Sequence, residues 1–486
     1  MKQLLTAAFS FVCILLASCW GEEDYTLSPS HQLRFSTDTL AFDTVIAGEP
    51  TSTRMLDVHN DASQALRIKA TYLASGKQSL WRVNLDGEFL KNGYAEEITL
   101  PAGDSLRIFA EMTAPETGQD LPKSYEEKLI FELESGVRQH VLLTAMGQDV
   151  ERLKARTISV ATSLKAQRPY QIFDSLVVAQ GATLTLPAGT RLYFHPRSSL
   201  IVRGTLVVDG TLEHPVVLRG DRLGNMFTKQ AYDRIPNQWG GVVFASTSRD
   251  NRLEHCDIHS GAYGLRCEPN EQSSPVLTLR NSIIHNTKEH ALEATLCSVD
   301  AANTQITNAG GDCVHLVGGR HHFVHCTIAQ FYPFVGERGV ALSYSNERNN
   351  AAAPLEVRFV NCLITGNNAD DVMGFPSQRH KNAKFQYAFQ NCLLNTPKIA
   401  SSPNITVCLF EEDAPESTRR AQQFLPLFDW SSLFFSFTLS PQSWAVGKAD
   451  PVVAQQYPTD RLGRPRLADG KADIGCYEAQ PQKSKN

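Results

Sequence analysis

The chain has 486 residues, of which 42% are hydrophobic and 20% charged, and its formal net charge is −5. This composition excludes an intrinsically disordered chain, and the slight excess of acidic residues gives no reason to expect a nucleic-acid partner. The length indicates more than one domain. After the N-terminal segment, no apolar stretch is long enough to span a membrane.

The N-terminal residues have the pattern of a secretory signal peptide. Lys2 provides a positive charge, and the apolar run that follows over residues 4–15 is too short to span a bilayer comfortably. The run ends at Leu16-Ala17-Ser18-Cys19, which resembles the lipobox of bacterial lipoproteins, where the cysteine is acylated and becomes the first mature residue. The resemblance implies a signal peptide over residues 1–18, an anchor linker over 19–33 and a membrane partner reached through lipidated Cys19. The alternative is an ordinary cleaved signal with a cysteine there by chance.

The acidic residues Glu22, Glu23 and Asp24 come shortly after Cys19. They resemble the surface-export signals of lipoproteins from the Bacteroidetes group, which implies an outer-membrane lipoprotein displayed on the cell surface. The alternative is a solvated linker, because short acidic runs are commonly that.

Residues 34–150 contain about eight short stretches of alternating apolar and polar residues, separated by turn residues such as Asp86-Gly87 and Asn92-Gly93. This pattern predicts a β-sandwich, since no helical periodicity is sustained. The phrases at 35–44 and 145–149 resemble those of immunoglobulin-like domains that precede β-helices in Bacteroidetes lipoproteins.

From about residue 155 to 480, very short apolar strands alternate with small or polar turn residues, which is typical of a solenoid. One phrase recurs: a polar residue, a small residue, any residue and an aliphatic residue. Its copies lie at 255–258, 281–284, 303–306, 325–328, 361–364 and 391–394. The central three copies are 22 residues apart, so we predict that equivalent side chains stack in columns.

Two further phrases, 238–244 and 460–478, resemble those of the right-handed parallel β-helix repeat family. The expected fold is therefore all-β, an N-terminal immunoglobulin-like β-sandwich followed by a right-handed parallel β-helix. In such a coil, the asparagines that begin the repeats, Asn281, Asn303 and Asn361, should adopt a left-handed turn conformation and hydrogen-bond one another.

Leaving aside Cys13 and Cys19, the cysteines all lie between Cys256 and Cys476. Cys326, Cys362 and Cys392 occupy the same repeat position, so their Cβ atoms should be about 4.8 Å apart, farther than the about 3.8 Å that a disulfide needs. We expect a stack of buried thiols there. Four other cysteines are less constrained and leave disulfide pairing open: Cys256, Cys267, Cys297 and Cys313.

The residues that could perform chemistry are few. His315, His321, His322 and His325 lie close in sequence, but strand alternation divides them between two surfaces, so we predict no metal site. Asp370 and Asp371, with His380 shortly after, are the candidate catalytic residues of an inserted loop. The alternatives for such exposed carboxylates are a solvated loop or, as the one cofactor considered, bound calcium.

Two functions are compatible with these features. The first is a non-catalytic module whose β-helix binds a polysaccharide or a surface protein through loops at 226–237, 336–354 and 369–385, with Tyr232, Tyr344 and Phe375 as contact residues. The second is a polysaccharide lyase or glycoside hydrolase acting in a groove of the β-helix. The enzyme hypothesis predicts that Asp370, Asp371, His380 and the Glu337-Arg338 pair converge on one groove.

Overall fold

The computed structural model describes residues 24–227, 229–270, 274–426, 428–429 and 431–480. The chain divides between Asp149 and Val150 into two compact units, each built mainly from β-strands. None of the helices in this part of the chain is both long and apolar enough to cross a membrane.

The first unit is a sandwich of two five-stranded sheets. In order across the first sheet, the strands are Arg34–Phe35, Arg54–His59, Ser105–Met112, Trp81–Leu85 and Glu88–Phe89. In order across the second, they are Thr39–Ile46, Arg138–Gln148, Lys123–Leu133, Leu66–Leu73 and Tyr94–Leu100. Strands 39–46 and 138–148 pair in parallel, and their neighbours pair antiparallel. A 3₁₀ turn covers Gly76–Gln78.

Alternation along each strand builds the core of the sandwich. In strand 105–112, for example, Leu106, Ile108 and Ala110 are buried and the residues between them are exposed. The predicted turn at Asp86-Gly87 has both residues at positive φ, 51° and 92°, as a two-residue hairpin requires.

The second unit is a parallel β-helix whose coils contribute up to three strands each, one to each face. Strands Glu151–Ile158 and Tyr170–Val178 start the coil and run along the first and second faces together. The first face then contains Arg191–Phe194, Val216–Gly220, Cys256–His259, Ile283–Thr287, Gln305–Ala309, Thr327–Gln330, Leu363–Gly366, Leu393–Leu394 and Leu409–Phe410. The second contains Ser199–Val202, Gly241–Phe244, Leu265–Cys267, Leu292–Thr295, Val314–Val317, Leu342–Ser345 and Val372–Phe375. The third contains Thr162–Ser163, Thr183–Pro187, Thr205–Asp209, Asn251–Glu254, Leu277–Arg280, Ser298–Ala302, Gly319–Val324, Leu355–Val360, Phe385–Gln390 and Ile405–Thr406.

The repeat positions stack in register inside this coil. Ile284 pairs with Ile306, which pairs with Ile328, then Ile364 and Leu394. All five side chains are buried. The predicted fold class, a β-sandwich followed by a right-handed parallel β-helix, is confirmed.

The polar residues that begin the repeats form the predicted column. Asn281, Asn303 and Asn361 have φ values of 51°, 51° and 54°, the left-handed conformation that asparagine tolerates better than most residues. The prediction that they bond one another is wrong. Asn281 instead donates to Glu254, and Asn303 contacts residues from the C-terminal part of the chain. Asn361 contacts that part too, and it also donates to His325, its neighbour in the column.

The predicted stack of thiols is confirmed. Cys326, Cys362 and Cys392 are fully buried and free, and each Sγ donates to the backbone oxygen two residues before it. Cys408 continues the column, in a repeat copy that the sequence did not reveal because Val407 stands in place of Asn or His. The cysteines whose pairing was left open, Cys256, Cys267, Cys297 and Cys313, are also free and buried.

The C-terminal segment after the last coil packs on the outside of the first face. Ile474 and Phe437 join a buried cluster with Ala329, Leu363 and Leu393 of that face. The remaining short elements of the described residues are the hairpins 225–227/230–231, 347–348/351–352 and 428–429/434–435, the 3₁₀ turns Tyr232–Arg234, Glu411–Asp413, Glu416–Thr418 and Arg420–Gln423, and the α-helix Pro451–Gln456.

Candidate functional site

A cleft of about 300 Å³ lies on the first face of the β-helix, and we call it the histidine cleft. Its floor comes from three successive coils and includes Asp257, His259, His285, Gln305 and Thr307. Its walls come from two distant parts of the chain, residues 233–234 and 433–438, together with Tyr477.

Strand alternation explains why these side chains point into the cleft. Ile258 and Ile284 point into the core, so their neighbours on the same strands point outward. The register places His259 beside His285, and His285 beside Thr307. The two imidazole rings have centroids 4.8 Å apart and are tilted by 33°, close to the spacing of neighbouring strands.

Asp257 contacts both imidazoles. Its Oδ1 is 2.9 Å from Nδ1 of His259 and 3.3 Å from Nε2 of His285. Desolvation acts to raise the pKa of Asp257, but the two histidines outweigh it and hold the pKa well below its usual range. Burial lowers the pKa of His259, and Asp257 acts in the opposite direction. In the neutral tautomer that donates from Nδ1 to Asp257, Nε2 is an acceptor.

Three residues of the cleft have a buried acceptor without a hydrogen-bond partner among the described residues. These atoms are Nε2 of His259, Oδ1 of Asp233 and Oδ1 of Asn286. Leaving such an atom unpaired costs about 1–3 kcal/mol. A ligand that donates several hydrogen bonds would recover this free energy.

The walls are held by contacts between distant segments. Arg234 donates a 2.6 Å hydrogen bond to the backbone oxygen of Ser432, and its guanidinium lies 5.1 Å from the ring centre of Phe434. Tyr477 donates a 2.6 Å hydrogen bond to Oε1 of Gln305. Phe434 remains 52% exposed, so its ring is available to a ligand.

Arg219 brings positive charge to the same region, and its charge is paired. Its Nη1 is 3.4 Å from Oδ2 of Asp233. Burial lowers the pKa of this guanidinium, and Asp233 acts in the opposite direction. The region therefore contains two guanidinium groups and two carboxylates, which belong to Arg219, Arg234, Asp233 and Asp257.

A second cluster of similar composition contains His290, Asp312 and His315. Oδ2 of Asp312 is 3.1 Å from Nδ1 of His315 and accepts a 2.6 Å hydrogen bond from Ser343. Ser343 and Asp312 both face the same ring nitrogen, so this is not the relay of a serine hydrolase, in which they contact opposite nitrogens. The rings of His290 and His315 are stacked in parallel, 4.4 Å apart and 6° from coplanar.

The catalytic candidates from the sequence, Asp370, Asp371 and His380, have different hydrogen-bond partners. Asp371 is fully buried and accepts hydrogen bonds from the side chains of Asn368 and Asn395. Asp370 accepts from the backbone of Val372, whereas His380 contacts the backbone oxygen of Asn350.

Arg338, named with these candidates, donates to the backbone oxygen of Tyr332. Among the described residues, it shares no hydrogen-bond partner with Asp370, Asp371 or His380.

The candidate contact residues have different environments. Tyr344 is 6% exposed and packs in the core against Phe385 and Tyr387, so its selection as a ligand contact was wrong. It lies on strand 342–345, where it points inward like Leu342. Phe375 is 48% exposed on the last strand of the second face. Tyr232 lies under the guanidinium of Arg222, 5.0 Å from its ring centre. Cys19 lies outside the described residues.

The four histidines singled out in the sequence do not form one cluster. His321 donates to the backbone oxygen of Gly318 inside the coil, and His325 accepts from Asn361 in the turn column. His315 joins His290 and Asp312 instead. The histidine cleft itself was missed, although aligning the repeat copies at 255–258 and 281–284 would have placed His259 beside His285.

Comparison with known proteins yields little. No protein family model matches the chain, and no curated protein matches it. Among solved structures, it is similar to the ASH / PapD-like domain of human CEP192 (PapD-like domain 7), at 14% sequence identity and a TM-score of 0.19. That match covers 26% of this chain and 94% of the other, and it carries no information about function.

Proposed function

We propose that this protein is a non-catalytic carbohydrate-binding lipoprotein that resembles those of the Bacteroidetes group. In this proposal, Cys19 anchors the chain to the outer membrane, and the β-helix is displayed on the cell surface. The support for anchoring and display is the sequence 16–24, and residues up to 23 lie outside the described part of the chain.

The observation that carries carbohydrate binding is the unpaired acceptors of the histidine cleft. A sugar offers many hydroxyl donors for Nε2 of His259 and the Oδ1 atoms of Asp233 and Asn286, which are buried and become accessible where the side chains that cover them move aside. The exposed ring of Phe434 borders the same cleft, and an aromatic face suits the apolar face of a sugar ring. Polar and aromatic groups therefore meet where one saccharide unit would fit.

The charges of the cleft favour binding over hydrolysis. A glycoside hydrolase needs one carboxylic acid that stays protonated near neutral pH. Asp257 cannot fill that role, because its histidine partners hold its pKa well below the usual range. Asp233 is instead paired with Arg219.

A polysaccharide lyase is the alternative function, and one feature favours it. His259 is oriented by Asp257 and has a free acceptor nitrogen, as a general base requires. Arg234, which lines the cleft, would neutralise the carboxylate of a uronate. This alternative predicts the release of unsaturated sugars.

The test is a glycan array with the purified full chain, followed by calorimetry with the best ligand. Phe434→Ala should weaken binding roughly tenfold through loss of the aromatic contact. The matched control is Phe375→Ala, because Phe375 is exposed to a similar extent, 48% against 52%, and lies on another face. Loss of binding with Phe375→Ala and not with Phe434→Ala would disprove the assignment to this cleft. Ultraviolet absorbance from unsaturated products would instead establish the lyase.

A further inference from the structure

The floor of the histidine cleft has the composition of a metal site. Asp257, His259 and His285 each offer one ligand atom, and these atoms all lie within 4.8 Å of one another. We propose that these three side chains together bind one divalent transition-metal ion of the zinc type. This proposal does not depend on carbohydrate binding.

Both distances from Oδ1 of Asp257 to the imidazole nitrogens fit a coordination sphere. Around an ion with bonds of about 2.1 Å, neighbouring ligand atoms are about 3.0 to 3.4 Å apart for angles between 90° and 109°. Oδ1 of Asp257 is 2.9 Å from Nδ1 of His259 and 3.3 Å from Nε2 of His285. The ion would bind the two nitrogens whose protons now point at Oδ1, and each neutral ring would then carry its proton on its other nitrogen.

The ring orientation separates this cluster from the second one. The imidazoles of His259 and His285 are tilted by 33° to each other, and each presents a ring nitrogen within 3.3 Å of the same oxygen, Oδ1 of Asp257. The rings of His290 and His315 are only 6° from parallel and 4.4 Å apart. An ion could not lie in both of those ring planes without a large rotation. The second cluster therefore has matching residue types but unsuitable geometry.

The backbone holds the proposed ligands in place. Asp257 and His259 lie on one strand and His285 on the next, and the strands pair in register. The backbone oxygen of His259 also accepts a 2.8 Å hydrogen bond from the buried indole of Trp239. Ligands on paired strands are more rigid than ligands on loops.

The ligand types select the class of ion. Two imidazoles and one carboxylate suit zinc, nickel, copper or iron, whereas calcium and magnesium prefer a shell of oxygens. Three protein ligands leave at least one position for water or for an added ligand. The nearby guanidiniums are each engaged, Arg219 with Asp233 and Arg234 with Ser432 and Phe434.

The test is calorimetric titration of the chelator-treated full chain with zinc chloride, with bound metal counted by mass spectrometry. We expect one zinc per chain, and an affinity at least about tenfold weaker in Asp257→Asn and His285→Gln. The matched control is His315→Gln in the second cluster, which should bind zinc as the unaltered chain does. The absence of zinc binding, or its loss in His315→Gln but not in His285→Gln, would disprove the proposal.

Cobalt absorption supplies a measurement that needs no variant. Cobalt at the proposed site should give visible bands without the intense thiolate-to-metal charge-transfer absorption that a cysteine ligand produces. Charge-transfer absorption would place the ion on the cysteines and overturn the proposal. Glycan binding is measured separately in the presence of chelator, so the failure of either proposal leaves the other intact.

Discussion

Nη2 of Arg466 donates a 2.8 Å hydrogen bond to Oδ1 of Asn303, a residue 163 positions earlier in the chain. The same guanidinium is fully buried and pairs with Glu478 at 2.6 Å. Arg466 therefore ties the C-terminal segment to the column of turn asparagines. We predict that Arg466→Met destabilises residues 150–486 by about 3–5 kcal/mol, because Glu478 is left without its partner.

Urea unfolding measures this effect. The control is Arg320→Met, since Arg320 is 72% exposed and 3.8 Å from Glu356, and such surface pairs contribute about 1 kcal/mol or less. Equal losses in the two variants would contradict the role assigned to Arg466.

Val407 offers a stabilising substitution. It stands in the turn column with a φ of 55° and is 75% exposed. A β-branched residue is strained in this left-handed conformation, whereas asparagine tolerates it. Val407→Asn should therefore raise the free energy of unfolding by about 1 kcal/mol. The control is Val160→Asn, a similarly exposed valine that is not at positive φ, which should change stability by no more than about 0.5 kcal/mol.

The thiol column predicts a contrast between two substitutions at Cys362. Ser282 donates to the backbone oxygen of Arg280, as Cys362 does to that of Val360. A serine at position 362 can make the same bond, so Cys362→Ser should cost about 1 kcal/mol or less. Cys362→Leu should cost about 1–3 kcal/mol through overpacking. Thermal unfolding distinguishes the two substitutions. A larger loss of stability in Cys362→Ser than in Cys362→Leu would argue against an intact column of thiols.

The state of the cysteines can be measured directly. Cys256, Cys267, Cys297 and Cys313 are free thiols, like those of the column. Alkylation after unfolding without reductant should therefore modify all four. A disulfide-linked peptide containing any of them in the mass spectrum would refute this expectation.

Asp371 makes stability depend on pH. Burial raises its pKa to about 6, despite hydrogen bonds from Asn368 and Asn395 that act to lower it. The folded chain thus holds this proton where an unfolded chain, with a pKa of about 3.9, has lost it. The stabilisation is complete below about pH 4 and is lost as the pH rises through about 6.

Asp371→Asn removes this dependence. Between about pH 4 and pH 6.5, the stability of Asp371→Asn relative to the unaltered chain should improve by roughly 2 kcal/mol. Urea unfolding at the two pH values gives the difference, with Asp370→Asn as the neighbouring control. A constant offset between Asp371→Asn and the unaltered chain would show that Asp371 does not titrate in this range.

The columns of turn asparagines and of thiols could be predicted from the sequence because they depend on a local repeat. Residues 22 positions apart fall on neighbouring coils, so Asn281 and Asn303 align wherever that coil forms. The partners of these asparagines could not be predicted, because Arg466 and Thr459 reach them from the far end of the chain.

The histidine cleft shows the same division. The pairing of His259 with His285 follows from aligning the repeat copies, but the walls of the cleft do not. Phe434 and Tyr477 reach the cleft through segments without a repeat, and no local pattern indicates their contacts. Tyr344 was misassigned because a long insertion hid a strand whose alternation points the ring into the core.

Residues 433–438 and Tyr477 are the last part of the cleft to be synthesised. Synthesis begins at the N-terminus, so the coils that carry His259 and His285 leave the ribosome before residues 433–438 and Tyr477, which close the cleft. A transcript truncated shortly before codon 428 would therefore encode every coil but would lack Arg466 and the segment that covers Ala329 and Leu363 of the first face. Late nonsense alleles should accordingly lose the walls of the cleft and destabilise the coils together.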